Sequence, residues 1–480
     1  MKRNAVWIFS AMLILLPLLS AEAQDVDVPG NLTMADSTDP TAGNILKDGV
    51  PFLHNFGTNN TFLGSNAGNL AMSGAGNTAT GSQALFNNDT GNNNTASGYQ
   101  ALINNTAGNF NNAFGWSALQ SNTTGLYNTA SGAGALQFNT TGNYNTANGN
   151  EALRLNTTGL YNTAAGYQAL LANTGNWNTA NGAGALQSNA SGGSNTASGF
   201  FALQNNTAGG ANIATGSNAL QSNTTGDFNA ASGFFALQGN TTGAANTATG
   251  SFALRNNTSG GYNSAGGYQA LLANTTGSAN TAVGSGSLVS NTTGSNNTAI
   301  GTGALQANTT GSNNTAIGKN AGAPGNLTNT TAIGYGAVAN ASNKIRLGDN
   351  NVTVIEGQVP YTFTSDRNKK ENFQPIEGEE VLTRIRGLSL TSWNYIGQDS
   401  KQFRHYGPMA QDFFAAFGRD AYGAIGTPTT ITSGDLDGIL MVAAQALERR
   451  TAEQEKEIAA LRGENADIGA RLAALERRTR

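Results

Sequence analysis

The chain has 480 residues, of which 63 are glycine and only 11% are charged, with a formal net charge of -4 and no cysteine. Such a composition does not suit an ordinary globular enzyme and points to a repeat. The lack of cysteine excludes disulfides and thiolate metal sites, two histidines make a zinc site a poor prospect, and no basic stripe suggests a nucleic-acid partner. No metal or cofactor is expected.

The N-terminus reads as a signal peptide over residues 1–23. Lys2 and Arg3 precede an apolar run from Ala5 to Leu19, and Ala21-Glu22-Ala23 supplies the small-x-small cleavage pattern. No cysteine follows the run, which excludes a lipoprotein anchor. No later segment reaches the roughly 20 apolar residues that span a bilayer. The expectation is an exported protein, extracellular or at the cell surface. Residues 24–60 are irregular and read as an N-terminal cap, the device that hides the unpaired edge of a stacked β-structure.

Residues 61–340 repeat with a period of 17. Gly64, Gly81, Gly98, Gly115, Gly132, Gly149 and Gly166 fall in register; the series resumes at Gly182 and continues to Gly318, ending at Gly334. The slip before Gly182 has a cause in Asn173-Thr174-Gly175, which has lost one Thr from Asn-Thr-Thr-Gly. The unit, as in Asn297 to Asn313, is Asn-Thr-Ala-x-Gly-x-x-Ala-Leu-x-x-Asn-Thr-Thr-Gly-x-x. It suggests two short extended stretches between two turns, with Asn and Gly taking the positive-φ positions. Two fixed glycines and a β-branched Thr in each unit disfavour helix. The strict register of Ala, Leu and Gly disfavours disorder, so stacked β-coils are expected. One Leu and two Ala per coil are little apolar burial for so much ordered backbone, which suggests three chains sharing one core. The motif Asn-Thr-Ala-Ile-Gly (297–301 and 314–318) resembles the head repeats of trimeric autotransporter adhesins. That resemblance implies a left-handed parallel β-roll or β-helix in a homotrimeric fibre. Residues 341–364 lose the period but keep β-like runs such as Lys344 to Leu347, and read as a β neck.

From residue 365 the composition changes. The blocks Ser365-Asp366-Arg367-Asn368-Lys369-Lys370, Leu390-Thr391-Ser392-Trp393-Asn394-Tyr395 and Arg404-His405-Tyr406-Gly407-Pro408-Met409-Ala410-Gln411-Asp412-Phe413 occur in that order before a terminal heptad pattern. Together they resemble the intramolecular chaperone domain of phage tailspikes and endosialidases, expected here as a small α+β domain over residues 365–438. The resemblance implies a Ser-Lys dyad, with Ser365 as nucleophile and Lys370 as general base, that cuts the chain once between Thr364 and Ser365 after the trimer has folded. Asp366, His405 and Gln411 are candidate supporting residues. Lys369 departs from the family's usual apolar residue. A serine hydroxyl needs a base to become a nucleophile, and a desolvated lysine serves. The plainer reading is that Ser365 and Asp366 cap a helix starting near Arg367.

Residues 439–480 read as a coiled coil. Leu440, Leu447, Gln454, Leu461, Ile468 and Leu475 fill one core position, and Ala444, Thr451, Ile458, Asn465 and Leu472 the other. The whole is therefore expected to be a mainly β, secreted homotrimeric fibre, an adhesin or surface structural protein with a self-cleaving chaperone. Its alternatives are a non-cleaving fibre with a permanent trimerisation domain and, less favoured, a polysaccharide-binding or degrading tailspike. Residues 61–340 hold only Asp89, Glu151 and Asp227 as acids, far apart in sequence, which argues against a glycosidase. A cell-surface or glycan ligand is left open, with no turnover enzyme, nucleic acid or membrane span expected.

Overall fold

A computed structural model describes residues 43–352, 355, 365–396, 398–419 and 423–479. The signal peptide, the start of the cap and Thr364 lie outside the described residues. The chain divides after residue 354 into two units, each described by itself.

The first unit is a β-solenoid. Seventeen three-residue strands, from β3 (Thr61–Leu63) to β19 (Thr331–Ile333), stack in one parallel sheet with one strand per coil. Their register pairs equivalent residues, as in Thr78↔Thr95 and Ala79↔Ala96. In each strand the central residue points inward and is buried, while its two neighbours face out. β20 (Ile345–Leu347) adds a further parallel rung on β19. At the other end, β1 (Ile45–Lys47) and β2 (Val50–His54) form an antiparallel hairpin, and β2 pairs antiparallel with β3, covering the edge that parallel stacking leaves open.

Two expectations need correction. A coil holds one extended stretch, not two: the Gly-x-x-Ala-Leu segment is a chain of turns in which Leu itself takes the left-handed conformation, with φ of 50–54° at every repeat leucine from Leu85 to Leu305. Such a backbone costs about 1 kcal/mol per residue. It is held because it points Leu into the core and lets its amide reach the next coil, as Leu85 N donates to Ala101 O at 3.0 Å. The core is also not shared between chains. Ala84, Leu85, Ala101, Leu102 and their equivalents have 0% exposure within a single chain.

What the small apolar core lacks, buried amides supply. Each coil from Asn77 to Asn308 carries two asparagines with essentially no exposure, both in ladders. In the first, Asn111 N and Nδ2 donate to Asn94 Oδ1 at 3.0 and 3.2 Å, and Nδ2 also donates to Gly125 O at 2.8 Å. In the second, Asn122 Nδ2 donates to Asn105 Oδ1 at 2.8 Å and to Gly125 O at 3.1 Å. Satisfied buried amides avoid a penalty of about 1 to 3 kcal/mol apiece for an orphaned group. The deletion at Asn173 leaves its ladder intact: Asn173 Nδ2 reaches Gly175 O, two residues on instead of three, at 2.9 Å, and Asn189 still donates to Asn173 at 2.7 Å. A second one-residue shortening falls between β18 (Thr315–Ile317) and β19, where Thr330 replaces the next asparagine and its hydroxyl donates to Asn314 Oδ1 at 2.7 Å.

His54 closes the first coil. It is buried, Nε2 donates to Ala67 O at 2.7 Å, and its ring lies 4.8 Å from Phe62. Burial pushes its pKa below the usual imidazole range, partly offset by the Ala67 hydrogen bond. The neutral form is thus favoured in the folded cap. Cap stability is complete above the unfolded value of about 6.5 and falls as pH drops below it. Amides of the first coil, measured by hydrogen exchange against mid-solenoid amides, should lose relative protection between pH 7.5 and pH 5. His54→Phe should abolish that pH dependence; unchanged relative protection in the wild type sinks the idea.

The second unit is a small α+β body. α1 (Gly378–Arg386) and α2 (Ala410–Phe417) pack with the start of the 46-residue α3 (Ser433–Arg478) around Val381, Phe413, Phe417 and Ala443. Gly378 permits the close approach of α1, since a Cβ there would meet Ala446 Cβ at 2.7 Å. Arg450 and Glu379 form an ion pair between α3 and α1. β21 (Leu390–Trp393) and β22 (His405–Pro408) pair antiparallel. Beyond its first turns α3 presents an apolar seam to solvent: Leu447, Ile458, Leu461, Ile468, Leu472 and Leu475 are about half exposed.

Candidate functional site

The segment opening the second unit is built on a short 3₁₀ turn, Arg367–Lys369. Asp366 starts it by accepting from Asn368 N at 2.9 Å through Oδ1, which is the capping role the plainer sequence reading gave it. Lys369 N donates to Asp366 O at 3.1 Å and Lys370 N to Arg367 O at 3.2 Å. The turn folds the chain back, and Lys370 Nζ donates to Ser365 Oγ at 2.7 Å. Five residues apart in sequence, the two side chains meet only because the turn lies between them. Both are exposed. In this contact the ammonium is the donor. To act as a base the nitrogen must shed a proton and accept from the hydroxyl, and the same separation serves that exchange. Arg367 lies over the Phe373 ring, 5.6 Å from its centroid.

The other candidates sit elsewhere among the described contacts. His405 on β22 is directly opposite Trp393 on β21. Its ring stacks on Trp393 at 4.7 Å and meets Tyr395 edge-on at 5.5 Å. His405 Nε2 and Trp393 Nε1 are both buried and have no hydrogen-bond partner among the described residues. Gln411 is exposed in the first turn of α2. Sequence reasoning did not single out Arg404, which donates to Ser392 Oγ at 2.6 Å beside that aromatic cluster. Its place at the head of the third motif block was a signal, but the contact with Ser392 depends on the pairing of β21 with β22. Among the described residues no group of three His, Asp or Glu side chains is arranged to hold a metal ion, and no helix is long and apolar enough to cross a membrane.

Residues 365–420 match the family model described as chaperone of endosialidase, a family associated with self-cleaving autoprocessing. The matched segment starts at Ser365 and takes in Lys370, Trp393, His405 and Gln411. The chaperone domain implied by the three motif blocks is therefore present, with a β-solenoid of about 17 turns upstream of it. A search of curated proteins finds no match to the chain.

Proposed function

We propose that this chain is the precursor of an exported, trimeric surface fibre. Its C-terminal domain assembles three copies and then detaches itself by one cut between Thr364 and Ser365. The observation that carries the reading is the Lys370–Ser365 hydrogen bond at the first residues of the matched chaperone segment. In the reaction, Lys370 Nζ takes the proton of Ser365 Oγ, and Oγ attacks the Thr364 carbonyl carbon. The Thr364–Ser365 amide bond breaks as an ester forms, and the proton passes to the departing Ser365 nitrogen. Water then hydrolyses the ester, leaving a Thr364 carboxylate and restoring the hydroxyl on a new N-terminal serine. Each chain turns over once. Loss of residues 365–480 removes the assembly device and leaves the fibre kinetically trapped.

Two apolar surfaces support the trimer. The seam of α3 matches the heptad positions and lacks cover in a single chain. The second surface lies on the outward face of the solenoid sheet. Val283, Ile300, Ile317, Ile333 and Leu347 line up in register, 38–47% exposed, where the preceding coils carry Ser232, Thr249 and Gly266. After cleavage any contact between copies has to lie before Ser365, and this stripe is a continuous apolar surface in the last coils of the solenoid. It also favours one register, because a slip of one coil moves an end of the stripe off its counterpart, as when Val283 meets the Gly266 rung.

Sedimentation and denaturing mass analysis of the full chain test the proposal. A trimer whose subunits end at Thr364 is the expected product. A full-length monomer would contradict both halves of the reading. Ile300→Asn with Ile317→Asn should lower the melting temperature of the cleaved assembly and raise its dissociation on dilution. Unchanged behaviour would remove the stripe from the interface.

A further inference from the structure

The solenoid surface carries two kinds of aromatic file, and they differ in spacing. Phe110, Tyr127, Tyr144 and Tyr161 occupy successive coils and stack on each other, with centroids 4.8–5.0 Å apart and planes within 5°. Those distances measure the rise of one coil. Their ring faces are spent on one another. The second file stands at the residue after the repeat glycine, a position that carries Tyr99 and Trp116 in adjacent coils earlier in the shaft; from Gly166 to Gly267 it recurs in every second coil: Tyr167, Phe200, Phe234 and Tyr268. Their exposures are 55%, 52%, 48% and 51%. Between them in the file stand the small residues Ala183, Ser217 and Ser251, while Phe252 bridges Phe234 and Tyr268 from beside the file, its centroid 5.6 and 6.0 Å from theirs. Two coils separate neighbouring rings by about 10 Å, so the four mark out a line of roughly 30 Å.

We propose that this file binds a β-1,4-linked glycan strand. In such a strand successive pyranoses are turned over, so the same apolar face recurs once per disaccharide, a length that equals two coils of this solenoid. Aromatic rings take the C–H face of a pyranose, while hydroxyls at the sugar edge need hydrogen-bonding neighbours. The fibre supplies both. Phe201, Phe235 and Phe252 widen the apolar ground, with Phe200 3.9 Å from Phe201 and Phe252 6.0 Å from Tyr268. A ladder of side-chain amides runs over the same coils, Gln168, Gln187, Gln204, Gln221 and Gln238, each linked to the next at 2.7–3.1 Å. Arg255 ends the ladder by donating to Gln238 Oε1 at 3.1 Å, and lies over the Phe235 and Phe252 rings. The surface is nearly free of carboxylates, which suits a neutral polysaccharide. This inference rests on the fibre reading only for where the protein meets such a polymer; the file itself is a feature of the solenoid and is independent of cleavage.

The test is binding of the full-length chain to microcrystalline cellulose and to chitin, with amylose as an α-linked control of different repeat. Binding to one or both β-linked polymers and not to amylose is expected, and the polymer preferred identifies the sugar substituent. Phe200→Ala with Phe234→Ala should weaken it at least tenfold. Ala183→Phe with Phe200→Ala keeps the number of rings and breaks their spacing, and should weaken it comparably. Tyr127→Ala, in the stacked file, should bind as wild type. Circular dichroism and sedimentation of every variant separate a lost site from a lost fold or assembly. The proposal is overturned by wild-type failure on both β-linked polymers, by full binding of the spacing variant, or by loss of binding in Tyr127→Ala.

Discussion

Replacing Ser365 with alanine should leave the chain in one piece, where the wild type should yield a fragment beginning at Ser365. The comparison to make is intact mass and denaturing electrophoresis of wild type, Ser365→Ala, Lys370→Ala and Lys370→Arg. Ser365→Ala removes the only nucleophile in the scheme, so no fragment at all is expected. Lys370→Ala removes general-base assistance, which contributes on the order of 10² to 10⁴ in rate. Lys370→Arg is the informative member of the series. A guanidinium keeps the positive charge and can still donate to the Ser365 hydroxyl, yet it does not deprotonate in proteins. Cleavage that survives in Lys370→Arg would show that Lys370 acts by charge or position and not as a base. Asp366→Ala should slow the reaction without abolishing it, because Asp366 caps the turn that carries Lys370 back to Ser365. The pair is exposed in a single chain, where water competes for the ammonium. Cover from partner copies would exclude that water, so cleavage should follow assembly. Leu461→Asp with Ile468→Asp, which charges the α3 seam, should therefore suppress cleavage even with both dyad residues present. A full-length wild type, indistinguishable from Ser365→Ala, would leave the domain as a permanent assembly device.

How much of this was legible in the sequence differs between the two units. The 17-residue beat gave the solenoid, its coil boundaries and its inward Ala and Leu, because a stacked coil forces equivalent residues onto equivalent neighbours. The beat did not give the backbone within a coil. A leucine in the left-handed region runs against intrinsic preference, and only the need to seat Leu85 and its equivalents in the core while their amides bond the next coil makes it the better choice. Nor did it show that one chain closes its own core. Counting apolar side chains understated the interior, since Asn77, Asn94 and Asn88, Asn105 are buried as fully as the leucines and act as satisfied core residues. In the second unit the resemblance carried by the motif blocks implied the pair Ser365 and Lys370, which the 3₁₀ turn brings within hydrogen-bonding distance. His405 was a candidate supporting residue by its place in the third motif block. The strand pairing sets it opposite Trp393, and its ring meets Trp393 and Tyr395, contacts that the motif block does not reveal.

Gly199→Ala should be among the most damaging single substitutions in the shaft. Gly199 sits at φ of +140°, and a Cβ placed on it would lie 2.5 Å from Gly216 O and 2.6 Å from Gly216 C. Those atoms belong to the backbone of the next coil, which is held from the far side by its own equivalent neighbour, so nothing flexible can give way. Backbone strain and overpacking together cost about 4 kcal/mol. In a one-dimensional stack each coil is stabilised only by its neighbours, so the damage should stay local and divide the solenoid into two blocks that unfold separately. Denaturant unfolding followed by hydrogen exchange should show two transitions in place of one, with protection lost first around the strands starting at Thr196 and Ile213. Gly266→Ala supplies the control. Gly266 is one of the outward residues of its strand, has nothing within 4 Å of the new methyl group, and needs no positive φ. It should change stability by less than about 0.5 kcal/mol or raise it slightly. Equal effects of the two substitutions would mean that the glycine column is a matter of composition and not of coil-to-coil contact, and the account of the 17-residue period would fail with it.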